Sequence, residues 1–230
     1  MQSFTDWLNQ LNLGTVWEYV VIIAASMLCI MFHEVSHGVV ALKLGDPTAR
    51  DAGRLTFNPI KHIDIWGLLM MAIFRFGWAK PVPIDMRNFK HPVRDMAITA
   101  AAGPISNVVL AFLALCIRAG ALYVYQKTGG AISDFILTFT EYTAILSVGL
   151  AVFNVIPIPP LDGSKVVNAL LPQNVYYKIL RYERYGFLVM MLVLWTGILD
   201  TPLDFCRNAL LSGLGTISAF PYYILRAIFG

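Results

Sequence analysis

The stretch "CIMFHEVSHGVV", residues 29–40, decides how this chain is read. Two histidines and a glutamate interrupt an otherwise apolar run, and ionisable groups inside a hydrocarbon-compatible segment are costly unless they serve a site or pair with one another. His33 and His37 are four residues apart and therefore share one face of a helix, where both rings can grip a single ion. Glu34 sits beside that face. In an HExxH arrangement the two imidazoles are metal ligands, while the glutamate is a base that takes a proton from the water the metal activates. Two neutral imidazoles suit Zn²⁺, and a catalytic zinc needs a third protein ligand and one open position. The alternative is a pair of neutral histidines hydrogen-bonded between helices. Glu34 weighs against it, because such a pair gives no reason for a third ionisable group.

Composition places this motif in a membrane. The chain has 230 residues, of which 57% are hydrophobic and 13% charged, with a mean hydropathy of +0.65. Soluble domains carry about 25% charged residues. The expected fold class is therefore an all-α polytopic membrane protein with the lipid bilayer as its solvent. The net charge of +3 is small, and no basic tract interleaved with aromatics suggests a nucleic-acid partner. Cys29, Cys116 and Cys206 form no CxxC pair, which argues against a disulfide framework or a cysteine metal site.

A span needs about 20 mostly apolar residues. Such runs occur at 16–44, 95–123, 134–156, 183–200 and 203–228. The run "IWGLLMMAIFRFGW", 65–78, is too short to cross and predicts a re-entrant segment. Residues 1–15 lack a signal peptide's basic start, and Phe4, Trp7, Leu8 and Leu11 at helical spacing predict a short interfacial helix. "DPTARDAGRLTFNPIKHID" (46–64) and "WAKPVPIDMRNF" (78–89) are rich in Gly, Pro, Asp and Asn, and predict loops or short β-strands near the membrane surface. Basic residues concentrate between the first and second spans and between the third and fourth. The positive-inside rule puts those loops in the cytoplasm, the N-terminus outside and, after five crossings, the C-terminus inside.

The third zinc ligand has to come from another segment. His62, His91, Glu141, Asp162 and Glu183 are the candidates. His62 and His91 fall in surface loops, where solvated or turn roles are usual. Glu141 falls in the outer half of the third span, and Glu183 lies among arginines on what reads as a solvated helix face. Asp162 is best placed. It follows the third span in "NVIPIPPLDG" (154–163), at the cytoplasmic depth of His33 and His37. Pro157, Pro159 and Pro160 prevent a continuous helix there, and Gly163 permits a tight approach.

HExxH in an apolar span, followed about 120 residues later by "NVIPIPPLDG", resembles the site-2 protease family of intramembrane zinc metalloproteases. The family's second motif is matched by Asn154, Pro157, Leu161, Asp162 and Gly163. Further similarity lies in "GRLTFNPIKHID", "GWAKPVPID" and "AAGPISN", so the resemblance covers roughly residues 20–170. It implies one Zn²⁺ per chain held by His33, His37 and Asp162, with Glu34 as general base and Asn154 positioning substrate or stabilising the oxyanion. It also implies a three-span core at 16–170 within an integral multi-pass protein. The N-terminal segment 1–15 and two further spans in 171–230 lie outside that core, and the length leaves no room for the PDZ or CBS domain of many members. Gly103, Pro104 and Asn107 of "GPISN" read as close helix packing.

The activity implied is zinc-dependent endopeptidase cleavage of transmembrane protein or peptide segments, at the cytoplasmic side of a prokaryotic plasma membrane. An extended substrate can add to a strand edge supplied by "GRLTFNPI" or "AKPVPID". Two other readings use the same ligands: a metal transporter or sensor, and a membrane-anchored zincin cutting outside the bilayer. The first usually shows matched repeats, and the second usually takes its third ligand from a soluble domain. The sequence shows neither.

Overall fold

The structure, a computed structural model, describes residues 13–67 and 79–229. Among the described residues, three helices are long and apolar enough to cross a bilayer: α1 (Leu13–Lys43), of which Val16–Lys43 forms the span, α3 (Pro92–Thr128) and α4 (Ala131–Asn154). Between α1 and α3 lies a one-turn helix, α2 (Thr48–Asp51). After α4 come α5 (Asp162–Asn168), α6 (Gln173–Trp195), α7 (Asp200–Ile217) and α8 (Phe220–Phe229).

Small residues bring the three spans together. Along α1, Val21, Ala25, Cys29, His33, His37 and Ala41 form a buried stripe with a strict four-residue step, and Met31 and Gly38 are buried beside it. The buried positions of the neighbouring spans are also mostly small, among them Ala100, Gly103, Asn107, Ala111 and Ala114 of α3, and Ala144, Ser147, Val148 and Ala151 of α4. Small side chains let backbones approach, which is how helices associate without a hydrophobic drive between them. The opposite faces expose Trp17, Ile23, Ile105, Val109 and Ile117, as lipid-facing surfaces do. The histidines therefore lie in the packing seam of the bundle.

Two sequence expectations are revised, one corrected and one narrowed. Residues 185–195 and 200–229 form a pair bent by 88° and supply one crossing at most, in place of the two expected at 183–200 and 203–228. Gly197, at φ 67°, lies in the break between them. Leu214 of α7 packs on Ala111 and Val148, and the Tyr222 hydroxyl of α8 donates to Gln126 Oε1 at 2.9 Å, so these helices lie against α3 and α4.

The second concerns the loops, which take the first of the two expected forms. Among the described residues no strand forms in 46–64 or 79–89; α2 and two 3-10 turns, Pro59–Lys61 and Met86–Asn88, occupy them. Pro81 and Pro83 lack the N–H a ladder requires. Several of the other backbone groups pair instead with side chains: Lys80 O accepts from Arg54 Nη2 at 2.6 Å, and Asp85 N donates to Asp46 Oδ2 at 2.8 Å. The proposed re-entrant segment falls mainly on residues 68–78, and the interfacial helix mainly on 1–12, outside the described residues.

Candidate metal centre

His33 and His37 reach the centre because the four-residue step of α1 puts both in the seam. Their rings meet edge to face with centroids 4.6 Å apart. Asp162 arrives from the other direction. After Asn154 the proline-rich turn reverses the chain, and Leu161 and Ser164 close it through backbone bonds to Ile158 O and Leu161 O. Gly163 is required there, since a Cβ would fall 2.0 Å from Val155 O. The turn brings Asp162 Oδ2 to 3.1 Å from His33 Nε2 and 3.1 Å from His37 Nε2. All three residues are buried, and their ligand atoms lie within 4.8 Å of one another.

The donor set fits zinc. His37 Nδ1 lies 2.7 Å from Thr99 O; donating there fixes the tautomer and leaves Nε2 a lone pair aimed at Asp162 Oδ2. Asp162 Oδ2 and His33 Nδ1 are buried with no hydrogen-bond partner. A buried carboxylate oxygen facing Nε2 of two imidazoles is unfavourable unless a cation or proton lies among them, and two imidazoles with a carboxylate are a zinc-type set. The side of α3 facing the rings is Gly103, whose added Cβ would meet His37 Cε1 and Nε2 at 2.5 Å and His33 Cε1 at 2.6 Å.

Glu34 projects next to this set and is only half-buried. Its Oε2 accepts a hydrogen bond from Val82 N at 2.8 Å. Glu34, His33 and Asn154 line one cavity of about 630 Å³, whose other walls include Ile30, Phe187 and Met190. Asn154 Nδ2 donates to Leu150 O of its own helix at 2.9 Å. Lys165 Nζ stands 4.0 Å from the other oxygen of Asp162.

The structure thus brings together His33, Glu34, His37, Asn154 and Asp162, which the sequence separates by up to 129 positions. It places three of the rejected candidates elsewhere, and the side chain of the fourth, Glu183, lies outside those described. His62 is buried, with Nε2 2.8 Å from Thr56 O, and is not the solvated residue expected of a surface loop. Exposed His91 precedes α3, and Glu141 pairs with Arg118 at 3.3 Å. Three participants had no sequence signature for their role: Thr99 and Val82 act through backbone atoms, and Gly103 through the absence of a side chain. The "GPISN" motif marked Gly103 as a close contact, without naming the histidines as what it touches.

Comparison with known proteins bears on this geometry. The sequence profile described as Peptidase family M50 matches residues 117–197. The Bacillus subtilis protein named "Putative zinc metalloprotease YwhC" is 38% identical over 167 residues, which are 72% of this chain and 76% of that protein. The Mycolicibacterium smegmatis protein named "Putative zinc metalloprotease Rip2" is 27% identical over 192 residues, 82% of this chain and 71% of that one. A third similar protein, from Methanocaldococcus jannaschii, is "Putative zinc metalloprotease MJ0611", 29% identical over 139 residues, 60% of this chain and 64% of that protein. No solved structure matches the chain.

Proposed function

The chain belongs to peptidase family M50, the site-2 protease family of zinc metalloproteases, and on that premise we propose that it cleaves transmembrane segments of other proteins within the bilayer. The supporting observation is the convergence of His33, His37 and Asp162 inside the bundle, with Glu34 and Asn154 beside them on one cavity. In this reading His33, His37 and Asp162 hold a single zinc, which supplies Lewis acidity to a water and to the scissile carbonyl. The proteolytic core is 16–170, with 1–15 an interfacial segment and 171–230 membrane-embedded helices outside it. The membrane is a prokaryotic plasma membrane, and the basic loops put the site toward the cytoplasm.

The chain's own groups divide the work. Glu34 accepts the proton of the attacking water on a carboxylate oxygen and later delivers it to the leaving amine. Asn154 turns its amide from Leu150 O toward the carbonyl oxygen as negative charge develops there. The apolar walls around Ile30, Phe187 and Met190 receive a membrane segment and limit bulk water, which strengthens both interactions. The substrate has to be unwound, because a helix ties up its carbonyls in i→i−4 bonds.

The test is a paired substitution assayed on purified protein with single-span peptides. Glu34→Ala retains zinc and loses cleavage, whereas Asp162→Ala loses both, and a zinc chelator silences the unaltered protein. Full cleavage by Glu34→Ala would refute the mechanism. Zinc uptake into vesicles without proteolysis would instead establish a transporter.

A further inference from the structure

The loop after residue 78 carries an unusual arrangement of donors. In "KPVPID" (80–85), Pro81 and Pro83 have no N–H, so Val82 supplies the one amide proton between Lys80 and Ile84. That proton goes to Glu34 Oε2 at 2.8 Å. The Val82 side chain is buried against α1 one turn further on, where Cγ1 would lie 3.2 Å from a Cβ added to Gly38.

Both ends of this segment are pinned by buried charges. At one end Lys80 O accepts from Arg54 Nη2 at 2.6 Å, while Lys80 N donates to His62 O at 2.9 Å. At the other, Asp46 Oδ2 accepts from Asp85 N at 2.8 Å and Asp46 Oδ1 from Asn88 Nδ2 at 2.7 Å. Asp46 is fully buried at 0% exposure and Arg54 nearly so at 7%, which is unusual for such groups unless each is committed to a partner. Asp46 also accepts from Thr48 N and Thr48 Oγ1, just beyond the end of α1.

We infer that residues 80–85 form a strap, held by Arg54 and Asp46, whose Val82 N–H fixes the carboxylate of Glu34 for its work as base. Arg54, Asp46 and Val82 are positioning residues: they act on the reaction through Glu34. With Oε2 held by the strap, Oε1 is left to take the proton, and the carboxylate cannot rotate out of line. The inference rests on the proteolytic reading for the meaning of Glu34, while the strap itself can be read without any substrate.

The experiment has two arms. In the first, protein labelled with ¹⁵N-valine in detergent micelles reports hydrogen exchange at the Val82 amide. Exchange is slow in the unaltered protein and about tenfold or more faster in Glu34→Ala, Arg54→Met and Asp46→Asn. In the second, Val82→Pro removes the N–H at a position that Pro83 already biases toward extended backbone, and Val82→Ala keeps it. Val82→Pro lowers kcat and kcat/KM equally, by about tenfold to a hundredfold, the loss of one hydrogen bond to a charged group. Its zinc content is unchanged, and Val82→Ala retains at least ten times its kcat. Arg54→Lys, which still donates to Lys80 O, restores most of what Arg54→Met loses. Equal Val82 exchange in all variants, or equal kcat in Val82→Pro and Val82→Ala, overturns the inference. If the unaltered protein cleaves no membrane segment while Val82 protection still depends on Glu34, the proteolytic reading fails and the strap stands.

Discussion

Gly103→Ala isolates the contact between α3 and the metal ligands. The added methyl would start 2.5 Å from two atoms of the His37 ring and 2.6 Å from Cε1 of His33. Carbon atoms in good contact are about 3.5–4.0 Å apart, so each ring has to retreat by about 1 Å. Neither moves freely: His37 is tied to Thr99 O at 2.7 Å, and both rings converge on Asp162 at 3.1 Å. Forcing one methyl into a packed interior costs about 1–3 kcal/mol. Part of that is returned in the folding equilibrium, because alanine favours a helix interior over glycine by about 1 kcal/mol. The ligand geometry has no such compensation. At tenfold per 1.4 kcal/mol, zinc affinity falls by about fivefold to a hundredfold, while thermal stability of the zinc-free protein changes little. Competition with a chromogenic chelator measures the first, and unfolding in detergent the second. Gly213→Ala serves as the reference, since a Cβ there meets nothing within 4 Å; it leaves zinc affinity unchanged. Wild-type zinc affinity in Gly103→Ala would refute the reasoning, because the rings would then not be in contact with that position.

Three further outcomes follow from the same geometry. Gly163→Ala places a Cβ 2.0 Å from the Val155 carbonyl oxygen; backbone cannot rotate away as a side chain can, so the turn that delivers Asp162 opens and zinc binding is lost, read by metal content after gel filtration. Asn154→Ala lowers kcat by about a hundredfold to a thousandfold with zinc content intact, the effect of removing one donor to developing charge, measured with a fluorogenic membrane peptide. For Asp46, burial favours the neutral acid, but hydrogen bonds from Thr48, Asn88 and the Asp85 amide outweigh it and hold the carboxyl below the usual range. A depressed carboxylate pKa stabilises the fold above the unfolded value of about 3.9 and loses that contribution as pH falls through the folded value. Protection of the Asp85 amide against exchange should therefore persist at pH 4 and collapse only below it, and Asp46→Asn should abolish that protection at every pH.

How far the sequence reached depended on which atoms carry the chemistry. The periodicity that makes α1 a span also puts His33 and His37 on one face, so a single helix revealed two candidate ligands and the proposed base. Asp162 was legible because three prolines and a glycine at 157–163 can only make a turn, and a turn at the end of α4 is at the depth of those histidines. The C-terminal region was misread because hydropathy measures whether a segment tolerates lipid, not whether it runs straight; the 88° bend between 185–195 and 200–229 needs only a short break at Gly197. The loops were left with two forms open for a different reason. Alternating β-prone residues in "AKPVPID" suggested a strand edge, but a strand is defined by where its N–H groups go. With Pro81 and Pro83 contributing none, the remaining Val82 proton was free for a side chain 48 positions away. Arg54 and Asp46 looked like ordinary loop charges in "DPTARDAGR", because nothing local distinguishes a solvated charge from one buried against a backbone carbonyl or amide. That distinction is made only when α1 and the loops pack together. The residues holding Glu34 in place are for this reason the part of the site that the fold adds to the motif.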